Sequence, residues 1–255
     1  MTLDNNVVIP EMIKEGASSK IIQTETGSYK VVLRPSIISH ALDEKLSAED
    51  ITLGMNAVNH QIKFSNIVTG LYGQCCNVNC TSKDKCIFRA LPNGNINADV
   101  MFINKMPTDY EIATMTSHSD KIGVFLSLIL SKMNVSRDSV YCTDMIKCNA
   151  NLDEQSFEEC VKTYLCNEIN LVLPKVIICN GLSVLKACSK LAVLQDLPSN
   201  VTYGKIYEVK TSSNLPIKVT AIYDLETVLQ KTNNDYEKCK TELWTQILSA
   251  FKASV

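Results

Sequence analysis

No apolar run in this chain reaches the roughly twenty residues needed to cross a bilayer, which excludes a transmembrane helix by composition alone. The opening residues, Met1-Thr-Leu-Asp-Asn-Asn, lack the basic-then-apolar order of a secretory signal, so the sequence reads as that of a cytoplasmic protein with no membrane partner. Excess positive charge is missing too. The formal charge is −2, from 25 Lys and Arg against 27 Asp and Glu, which excludes a highly basic nucleic-acid coat but allows a local basic face. Internal repeats and low-complexity tracts are absent, and tryptophan occurs once, as Trp244. Cysteine is what the chain has in surplus. It has 11, an odd number, and in a reducing compartment these are more often buried thiols, metal ligands or redox groups than disulfides.

The 255 residues allow one large domain, or a domain with an extension. Residues 1–70 read as an N-terminal extension with a strand at Ser28–Arg34 and a capping-box pattern, Ser47-Ala-Glu-Asp50, ahead of a helix. Residues 71–255 read as a domain of their own. Apolar runs of strand length at Ala98–Ile103, Ser139–Ile146 and Pro174–Cys179 alternate with helical patterns at Ile122–Met133 and Ser156–Leu173. A helix at Ser183–Ala192, strands at Lys205–Glu208 and Ile217–Tyr223, and a helix at Asp235–Lys252 follow. This alternation predicts an α/β fold with a central, mostly parallel sheet flanked by helices. Ligands of such sheets bind beyond the carboxyl ends of the strands, so 104–109, 143–148 and 180–181 are predicted to line one crevice.

Four thiols, Cys75, Cys76, Cys80 and Cys86, crowd one loop-like segment, and Cys148 and Cys160 flank the loop after the second strand of the domain. Two such segments suit an iron–sulfur cluster or a zinc ion, and spacing alone does not choose between them. Cys142, Cys166, Cys179 and Cys188 lie inside apolar periodic runs and read as unligated core thiols.

The ordered set Asn93–Ile103, Val140–Cys148, Glu158–Leu165, Pro174–Gly181 and Ile217–Leu229 resembles the iron–sulfur (family 4) branch of the uracil-DNA glycosylase superfamily, over about three-fifths of the chain. The resemblance implies a [4Fe-4S] cluster held by an early cysteine pair, by the cysteine of the Lys-Cys motif and by one on the next helix. The last two are Cys148 and Cys160. The early pair is most simply Cys76 and Cys80, although the family spacing is C-x-x-C and here it is C-x-x-x-C, which leaves Cys86 as a substitute for either.

The pocket motifs depart from the family. Its Gly-Glu-Ala-Pro-Gly turn stands as Asn104-Lys-Met-Pro-Thr108, placing Lys105 where the family has an acid. The phenylalanine that stacks on the extracted uracil aligns with His118, the uracil-reading asparagine with Asp144, and the His-Pro-Ser motif with Asp224-Leu-Glu226. Asn104, His118, Asp144 and Asp224 are thus the candidate base-binding residues. Three readings follow from the resemblance. In one, the pocket is refitted for another base. In the second, the fold survives as an inactive DNA-binding scaffold or processivity subunit. In the third, the protein is an ordinary uracil-DNA glycosylase.

Asp144 favours the refitted pocket. Asparagine donates to O4 and accepts from N3–H of uracil, whereas an ionised aspartate only accepts, which suits the N4 amine of cytosine. Plain cytosine fills cellular DNA, so the safer target is a C5-modified, for instance glucosylated hydroxymethyl, cytosine such as some phage genomes carry, and phage defence is the expected role. The base must be flipped from single- or double-stranded DNA. Asp109, with Glu111 behind it, is the candidate carboxylate for an oxocarbenium-like transition state. Lys105 is placed to neutralise the departing base, contact phosphate or form a Schiff base. Lys121, Lys147 and Lys186 are candidate phosphate contacts.

These cysteines make a direct prediction. Protein purified without oxygen is expected to be brown and to contain iron and acid-labile sulfide, and Cys148→Ala is expected to lose both the colour and solubility. A colourless, iron-free and fully heat-stable parent rules the cluster out.

Overall fold

The computed structural model describes residues 19–24, 27–32, 80 and 89–255. The chain divides into two units, Met1–Ile62 and Lys63–Val255. Within the first, β1 (Ser19–Thr24) and β2 (Gly27–Val32) pair antiparallel, with Ser19 opposite Val32 and Thr24 opposite Gly27. The predicted helix after Ser47, and Cys75, Cys76 and Cys86, lie outside the described residues.

The second unit is built on a seven-stranded sheet in the order β3-β5-β4-β6-β9-β8-β7. Its centre is parallel: β4 (Val100–Asn104) lies between β5 (Val140–Asp144) and β6 (Val176–Asn180), and β6 pairs with β9 (Pro216–Ile222). The short β3 (Asn93–Gly94) runs antiparallel to β5 at one edge. At the other edge β8 (Tyr207–Thr211) and β7 (Leu194–Gln195) continue the sheet antiparallel. The predicted class is therefore observed, with the antiparallel margins as detail that apolar runs do not disclose.

Among the described residues of this unit, six helices accompany the sheet: α1 (Asp109–Ala113), α2 (Lys121–Lys132), α3 (Glu154–Val172), α4 (Leu182–Lys190), α5 (Leu225–Leu229) after β9, and α6 (Asn233–Ala253). Successive strand residues face opposite sides, so each central strand feeds two cores. Met101, Ile103, Tyr141, Ile177 and Cys179 pack with α3 and α4. Val100, Phe102, Val140, Cys142, Val176 and Ile178 pack with α2, α5 and α6. The near-continuous apolar runs that marked these strands in the sequence are the signature of burial on both faces.

The same alternation continues into the strand tails. Thr143 shares the parity of Tyr141 and so turns to the α3 side, where its hydroxyl donates to Glu168 Oε2 at 2.6 Å. Lys147 completes this knot. Its Nζ lies 2.8 Å from Glu168 Oε1 and donates to Thr143 Oγ1 at 2.5 Å and to the Asp144 carbonyl at 2.7 Å. Lys147 and Glu168 are 1% and 0% exposed. Lys147 is therefore not a phosphate contact: it ties the tail of β5 to α3. Lys121 and Lys186 are exposed, Lys121 in an ion pair with Glu226.

Removing one partner of a buried pair leaves the other charge stranded. Lys147→Met is expected to cost about 3–5 kcal/mol in urea unfolding, with Lys147→Met/Glu168→Leu costing less than the two single changes together. A single-variant cost below about 1 kcal/mol, the range of an exposed pair, contradicts the knot.

Candidate active site

The tails of β4, β5 and β6 end side by side, with Asn104 in register with Asp144 and Asn180 with Ile222. By parity Asn104, Asp144 and Asn180 all project to the α2 side. Asn180 Nδ2 donates to Asn104 Oδ1 at 3.0 Å, and Asn180 Oδ1 accepts from the Leu225 N–H at 2.9 Å, which ties β4 to the start of α5. Asp224 caps that helix, accepting from the Thr227 N–H and hydroxyl at 2.8 Å each. It is half-buried.

Asp144 is fully buried. Its Oδ2 accepts from the Ser117 hydroxyl at 2.6 Å, while Oδ1 has no hydrogen-bond partner. Burial pushes its carboxyl up to about 7, helped by the negative charges of Glu111 and Glu168 and opposed by the Ser117 bond and the Lys147 charge.

His118 is also buried, at 4% exposure, with a left-handed backbone at φ 55°. Its Nδ1 lies 2.8 Å from Ser117 Oγ, and Nε2 has no partner. Burial, then the charges of Arg137 and Lys147, lower its pKa to about 3, so the ring is neutral. The segment carrying it sits hard against the first turn of α2. A Cβ on Gly123 would stand 1.7 Å from the His118 carbonyl oxygen, so only glycine admits this approach.

Glu111 braces the same segment from α1. Thr108 caps α1 in a capping box, with Glu111 Oε2 accepting from the Thr108 N–H at 2.8 Å and from its hydroxyl at 3.1 Å. Glu111 Oε1 accepts from the His118 N–H. Both oxygens are thus committed, and the side chain is 1% exposed. Burial raises its pKa most, the Thr108 backbone bond lowers it, and the Asp120 charge raises it further. In this arrangement Glu111 acts through the loop it holds.

Asp109 is the first residue of α1, exposed, and its Oδ1 accepts from Asn149 Nδ2. The helix cap is Thr108, one residue earlier. Asp109, Tyr110, Asp120, Lys121 and Glu226 line an open groove of about 540 Å³. Lys105 is exposed on the turn after β4. The structure therefore gathers Asn104, Glu111, His118 and Asp144 around one buried knot and sets Asp109 at the surface groove.

Cys148 and Cys160 are buried, at 7% and 6% exposure, on either side of the first turn of α3, and Cys80 is half-exposed. Among the described residues no three His, Cys, Asp or Glu gather as a metal group, and Cys76 and Cys86 are not among those residues. Cys142, Cys179 and Cys188 are buried in the cores. Burial pushes the Cys142 thiol up to about 12, and the bond that the Cys179 thiol makes to Cys188, then burial, raises that of Cys179, which makes both poor ligands and poor nucleophiles.

Residue-by-residue reading of the sequence did not find Ser117 or Glu168, whereas Asn180 was marked by its place at the end of a predicted strand. Ser117 sits in a loop with no periodicity to mark it. Glu168 had a signal, an acid on the apolar stripe of α3 between Leu165 and Ile169.

A profile of the uracil DNA glycosylase superfamily matches residues 91–248. Fold and match together define the class: the protein is a DNA N-glycosylase, a hydrolase of N-glycosyl bonds whose partner is DNA. The chain belongs to the uracil DNA glycosylase superfamily. It is similar to the type-4 uracil-DNA glycosylase of Archaeoglobus fulgidus, at 28% identity over 142 residues, 54% of this chain and 70% of that protein. Among the described residues no helix is long and apolar enough to cross a membrane.

The buried Asp144 makes a stability prediction with a defined sign. An unfolded Asp loses its proton near pH 4 and the folded one near 7, so stability present below about pH 4 is lost as pH rises to 7. Asp144→Asn is expected to melt higher than the parent at pH 8, with the gap closing towards pH 5. A parent that gains stability relative to the variant over that range contradicts the assignment.

Proposed function

We propose that this glycosylase excises a base bearing an exocyclic amine, most simply a C5-modified cytosine such as a glucosylated hydroxymethylcytosine. The observation that carries the reading is the bare Oδ1 of a fully buried carboxylate at the end of β5. A buried acceptor without a donor costs about 1–3 kcal/mol, and an incoming N–H removes that cost. A uracil carbonyl placed there meets another acceptor; the N4 amine of cytosine does not. The C5 modification rests on a separate argument: release of plain cytosine would damage the cell's own genome, whereas a foreign modified base marks invading DNA. The biological role is then defence against phage whose DNA carries such bases.

In this reading Asp109 is the carboxylate that stabilises the oxocarbenium-like sugar, since it is exposed at the groove where DNA can lie. Lys105, on the neighbouring turn, meets the departing base or a phosphate. Asn104 and Asp224 contribute through their bonds to the strand tails and α5, and Glu111 through its hold on the His118 backbone. Cys148 and Cys160, with Cys76 and Cys80 or with Cys86 in place of either, would hold the [4Fe-4S] cluster of the family 4 branch. Their thiolates are the soft donors that iron or zinc takes, and the cluster's contribution is to fix loops against DNA.

The test is mass spectrometry of bases released from DNAs containing uracil, cytosine, or a series of modified cytosines. Release of an amine-bearing base is expected to rise as pH passes about 7, where Asp144 ionises. Asp144→Asn should lose about 1–3 kcal/mol of discrimination with DNA binding intact, and Asp109→Ala should abolish release. Release of uracil but of no cytosine derivative returns the protein to uracil excision, and no release from any DNA leaves this pocket reading without support.

A further inference from the structure

Asp144 is not the only bare acceptor in the knot. Ser117 has one hydrogen and two neighbours, Asp144 Oδ2 at 2.6 Å and His118 Nδ1 at 2.8 Å. The carboxylate oxygen can only accept, so the Ser117 hydrogen goes to it. Towards His118 the Ser117 oxygen is then an acceptor, and the hydrogen between them must sit on Nδ1. A proton on Asp144 Oδ2 would reverse this chain of donors, so the lock is a property of the ionised carboxylate, above about pH 7. Neutral His118 therefore carries its hydrogen on Nδ1, and its buried Nε2 is a lone pair with no partner.

We infer that His118 is a second base-reading residue, locked by Ser117 as an acceptor, and that the extruded base must present a second N–H or O–H donor to Nε2 in addition to the amine hydrogen taken by Asp144. This rests on the proposed amine reading and extends it to a two-donor rule. Uracil has a single ring donor, N3–H, between two carbonyls, and so leaves one of the two acceptors bare. A cytosine offers two hydrogens on N4, and a C5-hydroxymethyl group adds a hydroxyl. Either can supply the second donor, and the experiment separates them. Ser117 is a positioning residue in this scheme: it touches no base and sets which nitrogen of His118 is bare. The bare atoms are closed off from solvent in the present arrangement, so the segment 114–120 must shift outwards when the base enters. Its two non-glycine residues with positive φ, Met115 and His118, are where that shift is accommodated most readily.

Nitrogen-15 NMR of the full chain reads the lock directly, since only three histidines need assignment. The expected signature for His118 at pH 8, where Asp144 is ionised, is a hydrogen on Nδ1 and a bare Nε2, with no imidazolium down to pH 5. In Ser117→Ala the ring is expected to become a mixture of tautomers. An Nε2–H tautomer or an imidazolium in the parent at pH 8 overturns the inference whatever the activity shows. The second measurement compares release of cytosine, 5-methylcytosine, 5-hydroxymethylcytosine and uracil by the parent and by His118→Leu, whose fold is protected because Glu111 grips the backbone and not the ring. The leucine variant is expected to lose at least about 10-fold of the preference for amine-bearing bases over uracil. Loss confined to 5-hydroxymethylcytosine assigns the second donor to the hydroxyl; loss shared with 5-methylcytosine assigns it to N4. An unchanged preference overturns the role of His118 while the Asp144 reading stands, and a parent that releases no amine-bearing base overturns both.

Discussion

The burial of one ammonium group conditions everything else in the site. Lys147 has no water to solvate it, so its charge must be met by Glu168, Thr143 and the Asp144 carbonyl. Those bonds fix the backbone as β5 ends, and the alternation of a strand then decides the rest. Thr143 is turned to α3 to serve the ion pair, and Asp144 is turned the other way, into the space between the sheet and the segment before α2. A carboxylate in that space can be neither solvated nor paired with a cation. It receives one hydrogen bond, from Ser117, and keeps one bare oxygen. The ion pair on one face of the sheet thus sets the geometry of an uncompensated acceptor on the other.

A fold tolerates such a cost where binding removes it. Bare buried acceptors are destabilising in the resting protein, and the close approach of the loop over Gly123, the capping box of α1 and the Asn180 bridge to α5 supply the order that keeps them in place. The order that holds these acceptors in place is what makes the closed resting arrangement expensive. An aspartate sharpens this: an amide can be met by donors and by acceptors, whereas an ionised carboxylate can be met by donors alone.

The fold was legible in the sequence to the extent that burial shaped it. Strands β4, β5 and β6 are buried on both faces and were visible as apolar runs; α2, α3, α4 and α6 were visible as stripes. The ends of β5 were overread because Met145 and Ile146 are apolar and buried yet belong to the loop. The edge strands β3 and β7 are two residues long and carry no pattern. The pocket residues Asn104, His118 and Asp144 were reached through the resemblance, by their place in motifs. What the sequence could not give was their state. His118 reads equally as a stacking residue or a loop histidine until its Ser117 bond is seen, and Lys147 reads as a phosphate ligand until Glu168 is found beside it. Charged residues at strand ends are ambiguous because exposure, which separates a DNA contact from a buried strut, depends on residues distant in sequence.

Under the proposed reading, specificity follows from counting donors. A hydrophobic slot discriminates poorly between bases of similar size, but a buried acceptor rejects a ligand that leaves it unpaired much more strongly. Asp144 and His118 both present lone pairs, and between them they ask for hydrogens. The ordinary uracil edge brings mainly oxygens. Changing one asparagine to aspartate would invert a single contact; setting a histidine lone pair beside it through a shared serine makes the inversion cooperative, because Ser117 cannot satisfy Asp144 without also fixing the ring. In the proposed reading a base that completes the knot satisfies both acceptors together, and that requirement sets what the enzyme removes.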